Sequence, residues 1–283
     1  MDYRFSLRAG SKHDKCPNCG QLTFKPYVDK KTGLEVGGKY GRCERINTCG
    51  YLIYPKTEKD DNWMPETKPY TPPLPTDYVS EQIVKKTFTN FNQNIFILYL
   101  SKIFGRKKAM ELQEIWNIGT AKNCGTIFWQ MDGLNRFRTG KVFYYGENGK
   151  RDKTHDSWFV HPKVKKNFQL KQCFFGLHLV DGNKPVALCE SEKTAVVMSV
   201  FEPDFHWVAS GGSNMLSVER LAELPRLDKV FADNGQFEIW MQRTQIFEGR
   251  QMDTTVDRAV REGILPAGAD ILDLVLLNHG FKN

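Results

Sequence analysis

Four cysteines and four carboxylates carry the spacing in this chain that could do chemistry. The run CPNCG sets Cys16 and Cys19 on a short knuckle, and CERINTCGY supplies Cys43 and Cys49. Structural zinc takes four soft ligands in a tetrahedron, and a Cys-x-x-Cys knuckle provides one edge of it. The second pair is spaced more widely than the common pattern. The segment around the thiols is too short for a sizeable core, so a bound metal would supply the missing folding energy. His13 is a candidate stand-in ligand, read more simply as a solvated histidine. Cys124, Cys173 and Cys189 are scattered and read as buried hydrophobes.

The carboxylates are Glu190, Asp233, Asp270 and Asp273. VALCE reads as a strand ending on Glu190. HWVASGG reads as a strand followed by Gly211 and Gly212, and DKVFADN as a strand followed by Asp233 and Asn234. Ligand sites in open α/β sheets lie beyond the carboxyl ends of the strands. Oxygen ligands from several loops suit a hard cation such as Mg²⁺ or Mn²⁺, which takes one or two direct carboxylates. Such an ion neutralises charge developing on a phosphoryl group. Asp270 and Asp273 stand one turn apart at a late helix. Lys193 follows Glu190 at a helix start and is either a phosphate contact or an exposed first-turn lysine.

The elements that must position these groups follow from the chain's punctuation. Residues 1–55 form the cysteine module, in which TGLEVGGKYGRC reads as a hairpin delivering Cys43. A spacer spans residues 56–78, where prolines and charges disfavour packing. Residues 79–172 form a basic α+β subdomain. Ser80 is positioned to cap a helix over EQIVKKTFTNF, a second helix runs through NQNIFILYLSKIFG to Gly105, and RKKAMELQEIW is a third. TIFWQMD and RFRTGKVFYYG alternate as strands around turns at Asp132-Gly133 and Asn148-Gly149. Residues 173–283 alternate strand and helix, which implies crossover connections and a mostly parallel sheet flanked by helices. The predicted fold class is therefore α/β, preceded by a zinc ribbon and a mixed segment.

The formal net charge of +7 is unevenly distributed. Residues 1–55, 56–135, 136–171 and 172–283 carry +5, +1, +7 and −6. Two basic stretches before an acidic domain suit a polyanion grip joined to a cation-binding site. Arg42 and Arg45 in the cysteine module, and Arg136, Arg138, Lys141, Lys150, Arg151, Lys163, Lys165 and Lys166 in the middle segment, are the candidate phosphate contacts. Aromatics interleaved with them suit base stacking on single strands. Phe143, Phe159 and Trp158 read as packed rather than stacked. The N-terminus MDYRFSLRAG lacks an apolar signal core, and the apolar stretch from Ile95 to Phe104 is too short for a bilayer. The expectation is a cytoplasmic protein with reduced thiols and no membrane partner.

VALCESEKTAVVMSVF, WVASGGSNM, VFADNGQFEIW and GADILDLV together resemble a Toprim domain, the topoisomerase–primase catalytic fold. The resemblance implies that Glu190 is the catalytic glutamate of the first strand. It also implies that Asp233 opens the family's Asp-x-Asp metal motif. Upstream, a zinc module, a proline-rich spacer and GTIF…RTGKVFYYGENGKR follow the order of bacterial-type DNA primases, especially compact relatives carried on mobile elements. This resemblance implies a metal-dependent nucleotidyltransferase that makes primers on single-stranded DNA from nucleoside triphosphates, with a replicative helicase as a possible partner. The sequence departs from the motif at Gly235, where the second aspartate should fall. Asn234, Glu238, Asp270 and Asp273 are nearby oxygens that could complete the site. A Toprim nuclease, or a non-catalytic single-strand-binding recruitment protein, are the alternative readings.

Overall fold

The computed structural model describes residues 4–10, 12–55 and 75–281, which fall into two compact units divided at Pro72. The first unit is an antiparallel sheet of short strands: β1 (Phe5–Leu7), β2 (Asp14–Lys15), β3 (Leu22–Asp29), β4 (Gly41–Cys43) and β5 (Leu52–Ile53). Its order is β1-β3-β4-β5, with β2 also pairing to β3, and a short helix, α1 (Ile46–Cys49), precedes β5. The expected hairpin forms, but its first strand is β3, which begins well before TGLEV and sets Phe24 opposite Cys43. The buried core is Cys16, Phe24 and Cys43, with Cys19, Cys49 and Tyr51 packed against it. The thiols themselves thus make up most of the interior.

The second unit begins with α2 (Glu81–Lys85), α3 (Ile95–Phe104) and α4 (Arg106–Ile115). The first of these is much shorter than the sequence implies. Ser80 occupies its N-cap position but makes no side-chain capping bond. After Lys86 the chain turns away: the Thr87 hydroxyl donates to the Val84 carbonyl at 2.6 Å and accepts from Trp129 Nε1 at 3.1 Å. The third helix buries Ala109 and Leu112 with Trp116 just beyond it, while Ile115 remains 43% exposed. Asn94 caps α3 and is fully buried. Its amide donates to the Gly119 carbonyl and its oxygen accepts from Thr126, so every part of the group is satisfied.

An antiparallel sheet follows in the order β6 (Ile118–Thr120), β7 (Thr126–Met131), β8 (Phe137–Phe143) and β9 (Trp158–Phe159), trailed by the short α5 (His161–Val164). The remaining elements alternate: β10 (Val186–Cys189), α6 (Glu192–Phe201), β11 (His206–Ala209), α7 (Val218–Leu221), β12 (Lys229–Val230), α8 (Phe237–Arg243), β13 (Gln251–Met252), α9 (Thr255–Arg261) and α10 (Ile271–Asn278). Their strands form a parallel sheet ordered β11-β10-β12-β13. Every residue of β10 is buried, as expected of a strand covered on both faces. The edge strand β13 carries too little apolar sequence to be legible in advance.

One hydrophobic cluster joins α3, α4, β6 and β7 to β10, α6, β11, α9 and α10. Phe175 links the two sheets, stacking on Trp116 at 5.1 Å and meeting Phe128 edge-on at 5.4 Å. The stretches 79–172 and 173–281 therefore share one interior. The proline-rich spacer lies outside the described residues from 56 to 74. No helix among the described residues is long and apolar enough to cross a membrane.

Candidate functional site

The first unit gathers its four thiols at the end of the ribbon. Cys16 Sγ lies 3.7 Å from Cys49 Sγ and Cys19 Sγ lies 4.0 Å from Cys43 Sγ, and all four atoms fall within 4.8 Å of one another. Zinc–sulfur bonds of about 2.3 Å in a tetrahedron require sulfurs about 3.8 Å apart, so the set fits that ion. Outer contacts hold the ligands in place, as is usual around zinc. The Asn18 amide donates to the Cys49 carbonyl at 3.0 Å and lies 3.4 Å from its sulfur, and the Thr23 hydroxyl lies 3.2 Å from Cys43 Sγ. His13 instead pairs with Glu44 at 3.0 Å. The four-cysteine ribbon supports a structural zinc. Arg42 and Arg45 are exposed on the same unit.

In the second unit, the carboxyl edge of the parallel sheet opens into a cleft of about 370 Å³. Leu188 on β10 pairs with Val230 on β12, so the chain leaves neighbouring strands at Glu190 and Asp233, and both line the cleft. The loop after β11 is tied alongside: Gly211 N–H donates to the Glu190 carbonyl at 2.8 Å. Three cations, Arg151, Lys153 and Lys193, line the same space. The Lys141 ammonium donates to the Gly211 carbonyl, and the Arg151 guanidinium lies 4.1 Å from the Phe143 ring centre. Lys193 Nζ donates to the Gly149 carbonyl at 3.2 Å.

Burial and crowding raise the proton affinity of these acids. Asp233 is pushed up to about 8, first by burial and then by the charges of Asp270, Glu190 and Asp273, with Lys193 opposing. Burial also raises Glu190, aided by Glu192 and opposed by the Ser213 N–H and Lys141. Clustered carboxylates that resist ionisation mark a place suited to a cation or to proton transfer.

The other expected ligands are placed differently. Asp270 lines the cleft, but it is also the N-cap of α10, accepting from Asp273 N–H at 2.9 Å and from the Thr194 hydroxyl at 2.6 Å. Asp273 returns the bond to Asp270 N–H at 3.1 Å, which completes a capping box and uses both acids to start the helix. Asn234 donates to Asp257 at 2.6 Å and accepts from Gly268 N–H at 3.1 Å, so it pins the loop. Glu238 is exposed on α8. Gly235 sits at φ 86°, a left-handed conformation that an aspartate adopts only under strain. Among the described residues, the four thiols are the only group of three or more metal-ligating side chains drawn within 4.8 Å.

Among the expected phosphate contacts, Arg138 requires correction. It is only 5% exposed, bonds Asp132 at 2.8 Å and the Lys171 carbonyl at 3.0 Å, and cannot offer its guanidinium to a polyanion. Arg136 shares Asp132 and lies 4.5 Å from the Tyr78 ring centre. Lys165 pairs with Asp77 at 2.7 Å, and Lys163 lies 3.3 Å from the Trp158 ring centre. Lys150 and Lys166 are exposed. Arg151 lines the cleft, and Lys141 is spent on the carbonyl of the cleft residue Gly211. Lys153 and Glu192 also line the cleft; the sequence places Lys153 only in the basic middle segment and Glu192 only at a helix start, with no role in the site. The only available signal for Glu192 was its place two residues beyond a strand-end glutamate.

Sequence families match both units. A zinc beta-ribbon finger matches residues 3–64, and a domain of unknown function, DUF6371, matches residues 94–232. A search of curated proteins finds no match. Solved structures similar to this chain include the primase fragment of the bacteriophage T7 primase-helicase, at 12% identity and a TM-score of 0.38, covering 90% of this chain and 99% of that one. Another is the zinc-binding and RNA polymerase domains of the Aquifex aeolicus primase, at 8% identity and a TM-score of 0.33, covering 96% and 82%. A DNA primase domain from Pseudomonas aeruginosa follows at 12% identity and a TM-score of 0.30, covering 63% and 65%.

Proposed function

We propose that this protein is a primase-type nucleotidyltransferase with a Toprim-like catalytic cleft, acting on single-stranded DNA and nucleoside triphosphates. One observation carries the reading. Glu190 and Asp233 leave adjacent parallel strands into the same cleft, where Arg151, Lys153 and Lys193 supply matching positive charge. In this reading the lysines and arginine hold triphosphate oxygens, and positioning with charge neutralisation supplies most of the rate. Glu190, with its raised proton affinity, accepts the proton of the attacking hydroxyl. A dication held by Glu190 and Asp233 would neutralise charge on the transferred phosphoryl group. The zinc ribbon contacts template phosphates through Arg42 and Arg45, and Lys163, Lys165 and Lys166 are the phosphate contacts of the second unit. Replication of a mobile element, a helicase partner and a cytoplasmic setting belong to the same reading.

Glu190→Gln tests it. Primer synthesis on single-stranded templates with Mn²⁺ and nucleoside triphosphates is expected to vanish, with DNA affinity retained within about twofold. Synthesis at the parent rate in that variant defeats the assignment. A second reading, a non-catalytic single-strand binder, draws on Gly235 and the missing carboxylate. Tight single-strand binding without extension or shortening of labelled strands in any divalent metal selects it.

A further inference from the structure

Successive side chains along β8 and its continuation point to opposite faces. Phe143 and Tyr145 line the cleft, whereas Tyr144 packs with Trp158 against the separate core that holds Val79, Ile127 and Val142. On that second face the Trp158 indole N–H donates to the Tyr144 hydroxyl at 3.4 Å, and Lys163 Nζ lies 3.3 Å from the Trp158 ring centre. The chain from Arg151 to His155 connects the two faces. Arg151 and Lys153 line the cleft, and two residues later the His155 ring stacks on Tyr144, with centroids 4.7 Å apart and planes at 30°. That places the His155 Cα at most about 7 Å from the Lys153 Cα.

Both rings of this stack are held in place. A Cβ at Gly125 would stand 3.0 Å from the Tyr144 ring, so that glycine lets the loop close on the phenol. His155 Nδ1 lies 3.0 Å from Asp152 Oδ2 and 3.1 Å from the Thr154 hydroxyl, and Asp152 also accepts from the Thr154 N–H at 2.9 Å. The imidazole side chain is nonetheless 52% exposed. A flat ring whose rotamer is already fixed loses little freedom when a second ring settles on it. Positive charge brackets it, with Arg151 and Lys153 on the cleft side and Lys163 on the other, in a stretch (136–171) that carries +7. An exposed aromatic ring between phosphate-binding cations is the arrangement that grips unpaired strands.

We propose that His155 is a base-stacking platform for single-stranded DNA, on which one unpaired base rests as the strand passes between the cleft and Lys163. The inference rests on the reading of this chain as a single-strand-binding enzyme. A stack uses the face of the base and not its edge, so the platform accepts any base.

The test is fluorescence anisotropy of a labelled oligothymidylate with the full-length, zinc-loaded protein, in a salt series without nucleotide, Mg²⁺ or Mn²⁺. His155→Ala is expected to weaken binding about tenfold with an unchanged salt slope, because a stack is lost and no phosphate contact is. His155→Phe keeps a ring on Tyr144 and is expected to bind within about twofold of the parent. A single abasic site moved along the oligonucleotide supplies a second measurement. At one position it should cost the parent about tenfold and cost His155→Ala nothing further. Parent-like binding by His155→Ala overturns the assignment. So do equal losses in the alanine and phenylalanine variants, a reduced salt slope in the alanine variant, or an abasic site that costs the same at every position. His155-dependent binding by a protein that extends no primer upholds the platform while removing the polymerase reading above. Primer synthesis together with parent-like binding in His155→Ala does the reverse.

Discussion

Thr194 donates its hydroxyl to Asp270 Oδ2 at 2.6 Å, across 76 residues of chain. This bond joins the helix that follows Glu190 to the capping box that starts α10, so two elements bordering the cleft are positioned together. Replacing Thr194 with valine keeps the shape and removes the donor. The expected cost is about 1–2 kcal/mol, since a charge-assisted bond is lost while Asp270 keeps the Asp273 N–H. For a unit of this size that lowers the melting temperature by about 2–8 °C. An unchanged melting curve would show that the bond does not position α10.

Asp233 should make metal-free stability depend on pH. Its folded-state affinity, about 8, stands well above the ordinary carboxylate value of 3.8, so between those limits the native state binds the extra proton. Stability therefore falls as pH rises from about 4 to about 8, by at most about 1.4 kcal/mol per unit from this group, and levels off above. Glu190, Glu192 and Asp273 are shifted in the same direction and steepen the trend. Urea unfolding of zinc-loaded protein without Mg²⁺ or Mn²⁺, at several pH values, measures the slope. Asp233→Asn should flatten it, and an identical slope in that variant would refute the burial argument.

Arg138 and the exposed lysines should separate stability from DNA affinity. Arg138→Ala strands the Asp132 carboxylate, which is 2% exposed, although Arg136 and two backbone N–H groups remain with it. A loss of about 3 kcal/mol is expected, with little change in the salt dependence of single-strand binding among molecules that stay folded. Lys163→Ala and Lys166→Ala should do the opposite. Each should reduce the salt slope of binding by about 0.7 and leave stability within about 0.5 kcal/mol. Equal salt slopes for parent and lysine variants would remove this surface from the DNA path.

Zinc removal should act on one unit. The interior of the ribbon is little more than Cys16, Phe24 and Cys43, so without metal its fold has almost no hydrophobic support. Chelation is expected to abolish the low-salt contribution of Arg42 and Arg45 to DNA binding and to eliminate the unfolding transition of residues 4–55. The unit from Pro73 onwards has its own extensive core and should melt at an unchanged temperature. Loss of both transitions together would contradict separate folding.

Much of the site was readable from local patterns. Cys-x-x-Cys knuckles, an apolar strand ending in glutamate and a second ending in aspartate each announce themselves within a few residues, because ligand spacing and strand periodicity are properties of contiguous chain. The same locality misleads where distant groups compete. EQIVKKTFTNF has a helical pattern, yet Thr87 leaves the helix to meet Trp129, 42 residues away. Ser80 has the right type for a cap, but Asn94 performs that task for the helix that packs.

From sequence alone followed the thiol set, the parallel alternation and the identity of the two strand-end acids. Tertiary structure alone decided that Arg138 is buried on Asp132, that Asp270 and Asp273 start a helix, and that Glu192 lies sealed beside Gly211 with an oxygen to spare. The physical reason is that burial and pairing depend on which segments the sheet brings together. Lys141 reaches Gly211 across 70 residues, and no local periodicity encodes that meeting.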